Sequence, residues 1–193
     1  MNFSRKLDKK ATLKDFLLIV FGALTLSSVA FYNEYPLLTS DSATYIRSAF
    51  LLKLNNIDAI IYSFFIHLFS FNNSIWSVIF SQSFIYAFTI FHFMKIFENI
   101  NTRKTFPFII IGLALFTGAP WYSSMVMTDI FTGIGFMALA ILFFKHKLCA
   151  WEIIIFSLIA VFSILTHKSH FLLFTFVAIA ISIVFIIINK NWK

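Results

Sequence analysis

Charge is scarce in this sequence: Asp, Glu, Lys and Arg make up 12% of its 193 residues, and only eight residues are acidic. Soluble domains carry about twice that share, because charged side chains coat much of their surface. The composition therefore excludes an ordinary water-soluble domain. Cysteine is nearly absent as well. Cys149 stands alone, so no disulfide can form within the chain, and Lys145, His146 and Lys147 beside it mark a thiol on the side where basic residues collect. With five glycines and three prolines there is no glycine-rich phosphate loop, and neither a nucleophile elbow nor a zinc-protease motif occurs. The net charge of +7 does not indicate a nucleic-acid partner, because Lys and Arg sit in short clusters between apolar runs and not along one amphipathic face.

Hydrophobic residues fill what charge leaves, at 60% of the chain, with 28 phenylalanines spread along its length. A bilayer span needs about 20 mainly apolar residues rising about 1.5 Å each. Candidate runs lie at 16–32, 74–97, 106–119, 129–144, 151–166 and 171–188. Several are short, which predicts helices that extend through flanking polar residues or a locally thinned bilayer. Two further stretches, 41–54 and 58–71, read as helices lying in the interface, within a long first outer segment that opens Asn33-Glu34-Tyr35-Pro36. The expected fold is all-α: one polytopic membrane domain of about six transmembrane helices with interfacial helices in the first outer loop.

Basic residues orient it. Arg5, Lys6, Lys9, Lys10 and Lys14 precede the first run, which is long for a signal-peptide core and reads as an uncleaved span. Crossing at these six runs puts Lys95, Arg103, Lys104, Lys145, Lys147, Lys190 and Lys193 on the same side as that start and leaves Arg47, Lys53 and Lys168 opposite. A further span over 58–71 would invert all the later ones. The positive-inside rule thus predicts cytoplasmic N- and C-termini, and the uncleaved basic start with no cysteine on the outer side fits a bacterial plasma membrane.

On this topology Glu34, Asp41, Asp58, Asp129, His167 and His170 fall at the outer face. Asp41 opens the first interfacial helix and either caps it or serves as a general base or cation ligand. Asp129 opens the fourth span and carries the same pair of readings. His167 and His170 stand three apart with no third ligand nearby, so no metal site is expected; Lys168 and His170 belong either to a solvated turn or to a site that donates protons or contacts phosphate. On the inner side Asp8, Asp15 and Glu98 lie beside basic partners as solvated charges, with Glu152 at a span start. Gln82 sits mid-span and needs a partner to avoid a costly unpaired amide. His67 and His92 are expected to snorkel from near the interfaces, and Asn72-Asn73-Ser74 has the form of a glycosylation sequon.

The arrangement resembles the N-terminal half of the GT-C glycosyltransferases, in particular bacterial relatives of the protein O-mannosyltransferases and the lipid A aminoarabinose transferase. It is carried by a basic start, one span, a long outer loop with Asp41 in Thr39-Ser40-Asp41-Ser42-Ala43-Thr44-Tyr45, and a second acid, Asp129, closing the loop that begins Pro120-Trp121-Tyr122. The resemblance implies transfer of a sugar from a polyprenyl-phosphate-linked donor to an acceptor at the outer face. It makes Asp41 the general base and Asp129 the group that positions the acceptor or a cation, with Lys168 or Arg47 offsetting charge on the departing phosphate and His170 near it. It implies a lipid-linked sugar donor and membrane lipid as partners, no cofactor, and a complementing membrane subunit, since members of that family extend through further spans. The rival readings are a noncatalytic multi-pass subunit and a small lipid or solute transporter, the latter disfavoured by spans with no central carboxylate.

Overall fold

An apolar chain with few polar breaks can satisfy its own backbone N–H and C=O groups most simply by coiling on itself. The computed structural model, which describes residues 9–51, 60–71 and 73–190, is accordingly all-helical apart from one isolated bridge. The basic residues up to Asp8, Lys53, the part of the first interfacial helix past Leu51, Asp58, Asn72 of the sequon and the last three residues lie outside the described residues. In chain order the helices are α1 (Lys9–Leu26), α2 (Ser28–Tyr32), α3 (Ser40–Leu51), α4 (Ile60–Ser70), α5 (Ile75–Met94), α6 (Thr102–Phe116), α7 (Ala119–Ser123), α8 (Ile130–Phe144), α9 (Ala150–Leu165) and α10 (Lys168–Lys190). Among the described residues α5 is the one helix long and apolar enough, by length and composition, to cross a membrane; α4, α8, α9 and Lys168–Ile179 of α10 are shorter apolar helices.

Helices fall on all the segments that hydropathy marks, with one interruption. The first run divides at Ser27, whose hydroxyl donates to the Ala23 carbonyl at 2.9 Å and to Ser83 Oγ at 2.9 Å. The bundle is organised on α5, against which α1, α4, α6, α7 and α8 all pack. Two glycines set its closest approaches. A Cβ on Gly22 would stand 2.9 Å from the Phe106 ring, and one on Gly135 would stand 2.6 Å from both Ser163 Cβ and Phe174, so α1 meets α6, and α8 meets α9 and α10, across bare backbone. The α3–α4 hairpin docks through aromatic edges: Tyr45 meets Tyr62 at 5.2 Å, Tyr62 meets Phe131 at 5.9 Å, and Phe131 meets Phe162 at 4.9 Å. Each such contact contributes about 0.5–1.5 kcal/mol beyond the area it buries. His67 is half-buried here, its Nδ1–H donating to the Ala49 carbonyl at 3.1 Å, so it ties α4 to α3 and does not snorkel.

The polar interior is concentrated at one end, where the segment from Ala119 to Asp129 folds in over α5. Gln82, fully buried, spends both ends of its amide there. Its Nε2 donates to the carbonyls of Ser123 at 2.9 Å and Met125 at 2.8 Å, and its Oε1 accepts from the Tyr62 hydroxyl at 3.0 Å. The Ser123 hydroxyl donates to the Leu26 carbonyl at 2.6 Å, while Ser124 Oγ accepts from Ala30 N–H at 3.0 Å. Substituting Gln82→Leu removes one donor from each of two carbonyls and the acceptor of a buried phenol; at the usual net worth of such hydrogen bonds, thermal unfolding should show a loss of about 2 kcal/mol. An unchanged midpoint would mean that water or rearranged backbone takes over all three bonds.

Candidate functional site

Two segments that follow different helices are sewn together at this end. Leu37 and Met125 form a parallel bridge, with Leu37 N–H donating to the Ser124 carbonyl at 2.9 Å and Val126 N–H to the Leu37 carbonyl at 3.0 Å. Ser42 continues the seam. Its hydroxyl donates to the Val126 carbonyl at 2.7 Å and accepts from Thr39 N–H at 2.8 Å, which starts α3 against the second loop. The turn leading in carries Glu34 with φ of 58°, a left-handed backbone rarely adopted outside glycine and the Asx residues.

That seam joins the segments that carry Asp41 and Asp129. Asp41 lies in the first turn of α3 and Asp129 immediately precedes α8, both exposed. Tyr45 is buried, with its hydroxyl in hydrogen-bonding reach of Thr128 and both carboxylates within electrostatic reach of it. Burial pushes the Tyr45 phenol above the ordinary tyrosine value, and both carboxylates are close enough to push the same way. Asp129 holds the cap position of α8 without making a side-chain cap bond, so its carboxylate is not consumed by the helix end. It instead faces an open cavity of about 470 Å³, with Tyr122 and Thr117 at the polar rim and Leu113, Ile130 and Tyr86 below. A Cβ added to Gly133, one turn along α8 from Asp129, would meet nothing within 4 Å.

The three basic candidates are placed differently. Arg47 is exposed on α3, nearly two turns beyond Asp41, and no salt bridge among the described residues joins it to either carboxylate. Lys168 opens α10 with an exposed side chain. His170 is turned inward, at 3% exposure. Its Nδ1–H donates to the Ser163 carbonyl at 2.8 Å, and its Nε2 accepts from the Thr132 hydroxyl at 2.6 Å, so one imidazole fastens α10 to α9 and α8. A phosphate contact by His170 requires one of those bonds to open. Asp129 is near enough to favour its protonation, but burial dominates and holds the imidazole below the ordinary histidine value.

A second polar cluster, at the opposite end of α5, was not legible in the sequence. His92 is buried and does not snorkel: its Nδ1 lies 3.2 Å from Glu152 Oε1, which also accepts from Lys145 Nζ, while Glu152 Oε2 accepts from Cys149 N–H at 3.1 Å. Asp15 does match expectation as a paired charge near the surface, accepting from Arg103 Nε at 2.6 Å with Lys95 at 3.9 Å. No group of three or more metal-ligating side chains occurs among the described residues. Family models, curated proteins and solved structures were all compared with the chain, and none matches it.

Because His170 binds its proton less readily folded than unfolded, the unfolded chain takes up more protons below the reference value of 6.5. The contribution is complete above that pH and is lost as pH falls through the window beneath it. Melting curves from about pH 7.5 down to about pH 5 should fall more steeply for the natural chain than for His170→Gln, whose neutral amide has no proton to gain. Parallel curves would contradict this.

Proposed function

We propose that the chain is a multi-pass membrane protein of the GT-C glycosyltransferase kind, acting at the outer face of a bacterial plasma membrane on a polyprenyl-phosphate-linked sugar. The observation that carries the reading is the seam joining the segments that bear Asp41 and Asp129, which leaves both carboxylates within electrostatic reach of Tyr45 and Asp129 on a cavity. Such transfer requires a proton to be taken from the attacking hydroxyl or amine as the anomeric carbon loses its phosphate, and an exposed carboxylate accepts that proton. In this reading Asp41 is the general base and Asp129 orients the acceptor. Arg47 and Lys168 supply positive charge for the departing polyprenyl phosphate. The proton passes from acceptor to Asp41, the new glycosidic bond forms, and the bonding pair leaves with the phosphate oxygen.

The membrane topology of the reading rests on what the helices show outward. Phe108 and Leu115 on α6, Leu158 on α9 and Phe176 on α10 are 76%, 71%, 64% and 68% exposed, and apolar surface of this extent is stable against lipid and not against water. We read α1 with α2, α5, α6, α8, α9 and α10 from Phe171 onward as the spans, with α3, α4 and the turn that holds His170 at the outer interface and both termini inside. This orientation gathers the carboxylates outside and Lys95, Arg103, Lys145 and Lys147 inside.

Two measurements test this. In a Cys149→Ser background, single cysteines at the exposed positions Ala43, Tyr122 and Ser169 should all react with an impermeant thiol reagent in intact cells; labelling at Ala43 alone, with all three reactive once cells are permeabilised, would place a span between α3 and α5 and separate the carboxylates. Purified protein in nanodiscs should bind a polyprenyl-phosphate sugar and transfer it, with Asp41→Asn slowing transfer by about 10²–10⁴-fold. Absence of donor binding, or full activity in Asp41→Asn, removes the assignment.

A further inference from the structure

α1 and α6 come together where Gly22 leaves room for the Phe106 ring, and nearer their N-termini a cavity of about 450 Å³ opens between them. It is lined by Lys14, Leu17 and Leu18 of α1 and by Arg103 of α6. Positions i, i+3 and i+4 share a helix face, so Lys14 stands one turn from the two leucines, toward the cytoplasmic side in the topology proposed above. The apolar face continues the other way, with Leu17, Phe21 and Leu24 exposed at helical spacing. Charge at this corner is unbalanced. α6 opens with Arg103 and Lys104 and has no acid in its first turn, although the positive end of a helix dipole favours acids there. Asp15 answers Arg103 and Lys95. Lys14 and Lys104 enter no salt bridge among the described residues, and Glu98, on the turn before α6, pairs with neither of them.

We propose that this α1–α6 cavity binds the head of an anionic glycerophospholipid of the inner leaflet, its phosphate against Lys14 and Arg103 and the start of an acyl chain on Leu17 and Leu18. The inference rests on the membrane placement of α1 and α6 and not on sugar transfer. An ammonium and a guanidinium at one cavity wall attract a phosphate, and Asp15 fixes the guanidinium there. The charge of Asp15 is itself offset by Arg103 and Lys95, so it does not cancel Lys14. An anion in this place also relieves the like charge that α6 carries against its own dipole. A zwitterionic head brings its own ammonium toward the same cations and forfeits much of that gain. A soluble phosphate would meet the cations and leave the leucines unanswered, whereas a phospholipid satisfies both and is concentrated at the surface where juxtamembrane cations lie. The site stands at the opposite end of the bundle from Asp41 and Asp129, and it makes the α1–α6 contact responsive to the anionic lipid content of the membrane.

The test uses the full chain in phosphatidylcholine nanodiscs holding a trace of one of two probes, a phosphatidylglycerol or a phosphatidylcholine, each with a diazirine near the ester end of one acyl chain. Adducts are mapped by peptide mass spectrometry. The phosphatidylglycerol probe should label the stretch around Leu17 and Leu18 about tenfold more than the phosphatidylcholine probe. Lys14→Gln, at an exposed position, should leave the melting midpoint in place and cut that preference about fivefold. Lys147→Gln, an exposed cation that the topology puts on the same side, should leave it intact, which separates a site from diffuse attraction to a basic face. Millimolar soluble glycerol phosphate should not displace the probe. Equal labelling by the two heads, an equal loss in the two variants, or displacement by the soluble phosphate overturns the proposal and leaves the spans standing. Labelling of α1 and α6 by neither probe removes the membrane placement and the proposal with it.

Discussion

A carboxamide inside an apolar bundle has to be answered on both its donor and its acceptor sides, and here Gln82 is answered by backbone on the first and by a phenol on the second. Its amide hydrogens hold the carbonyls of Ser123 and Met125, and its oxygen holds the Tyr62 hydroxyl, so a side chain on the central helix fixes both an irregular loop and the α4 ring that packs beneath it. Irregular backbone survives in a low-dielectric interior only where such partners exist. The consequences propagate outward. With residues 123–126 fixed, Leu37 has an edge to pair with, Ser42 has a carbonyl to bind, and α3, with Asp41 in its first turn, starts against the loop that ends at Asp129. The candidate site is in this sense a surface expression of a buried amide.

The same logic explains what could be read from residues alone. Helix positions followed from apolar runs, because burial of an unpaired backbone is costly wherever the run occurs. Gln82 stood out for the same reason, though its partners did not: nothing in Ser123-Ser124-Met125 announces that its carbonyls turn inward. Asp41 and Asp129 were visible as acids near helix starts, yet the joining of their segments depends on a bridge between Leu37 and Met125 that leaves no periodic trace in sequence. His92 misled because Lys95 nearby suggests an interface, whereas Glu152, 60 residues further on, draws the imidazole inward. His170 was legible as a polar residue at a turn and not as a fastener, because its partners Ser163 and Thr132 belong to two other helices.

Polarity is segregated between the two ends in kind as well as in place. At the Asp41 end the acids are exposed and the buried groups are hydroxyls, amides, carbonyls and the His170 imidazole. At the other, Glu152 is buried and neutralised in place by Lys145 and by the cap of its own helix, with His92 against it. A buried carboxylate with both oxygens engaged rigidifies the helices around it. The arrangement gives α8, α9 and α5 a fixed foundation at one end and leaves accessible charge at the other.

The seam between the first and second loops also imposes an order of events on synthesis. Ser42 and its partner Val126 are 84 residues apart in the chain. At ordinary rates of translation the first strand of the seam therefore waits roughly 4–17 s for its counterpart to emerge. Throughout that interval the segment around Leu37 has neither its backbone partners nor the Gln82-anchored platform beneath it. The nascent protein passes through a stage in which the first segment of the candidate site is complete in sequence but unpaired until the second loop arrives.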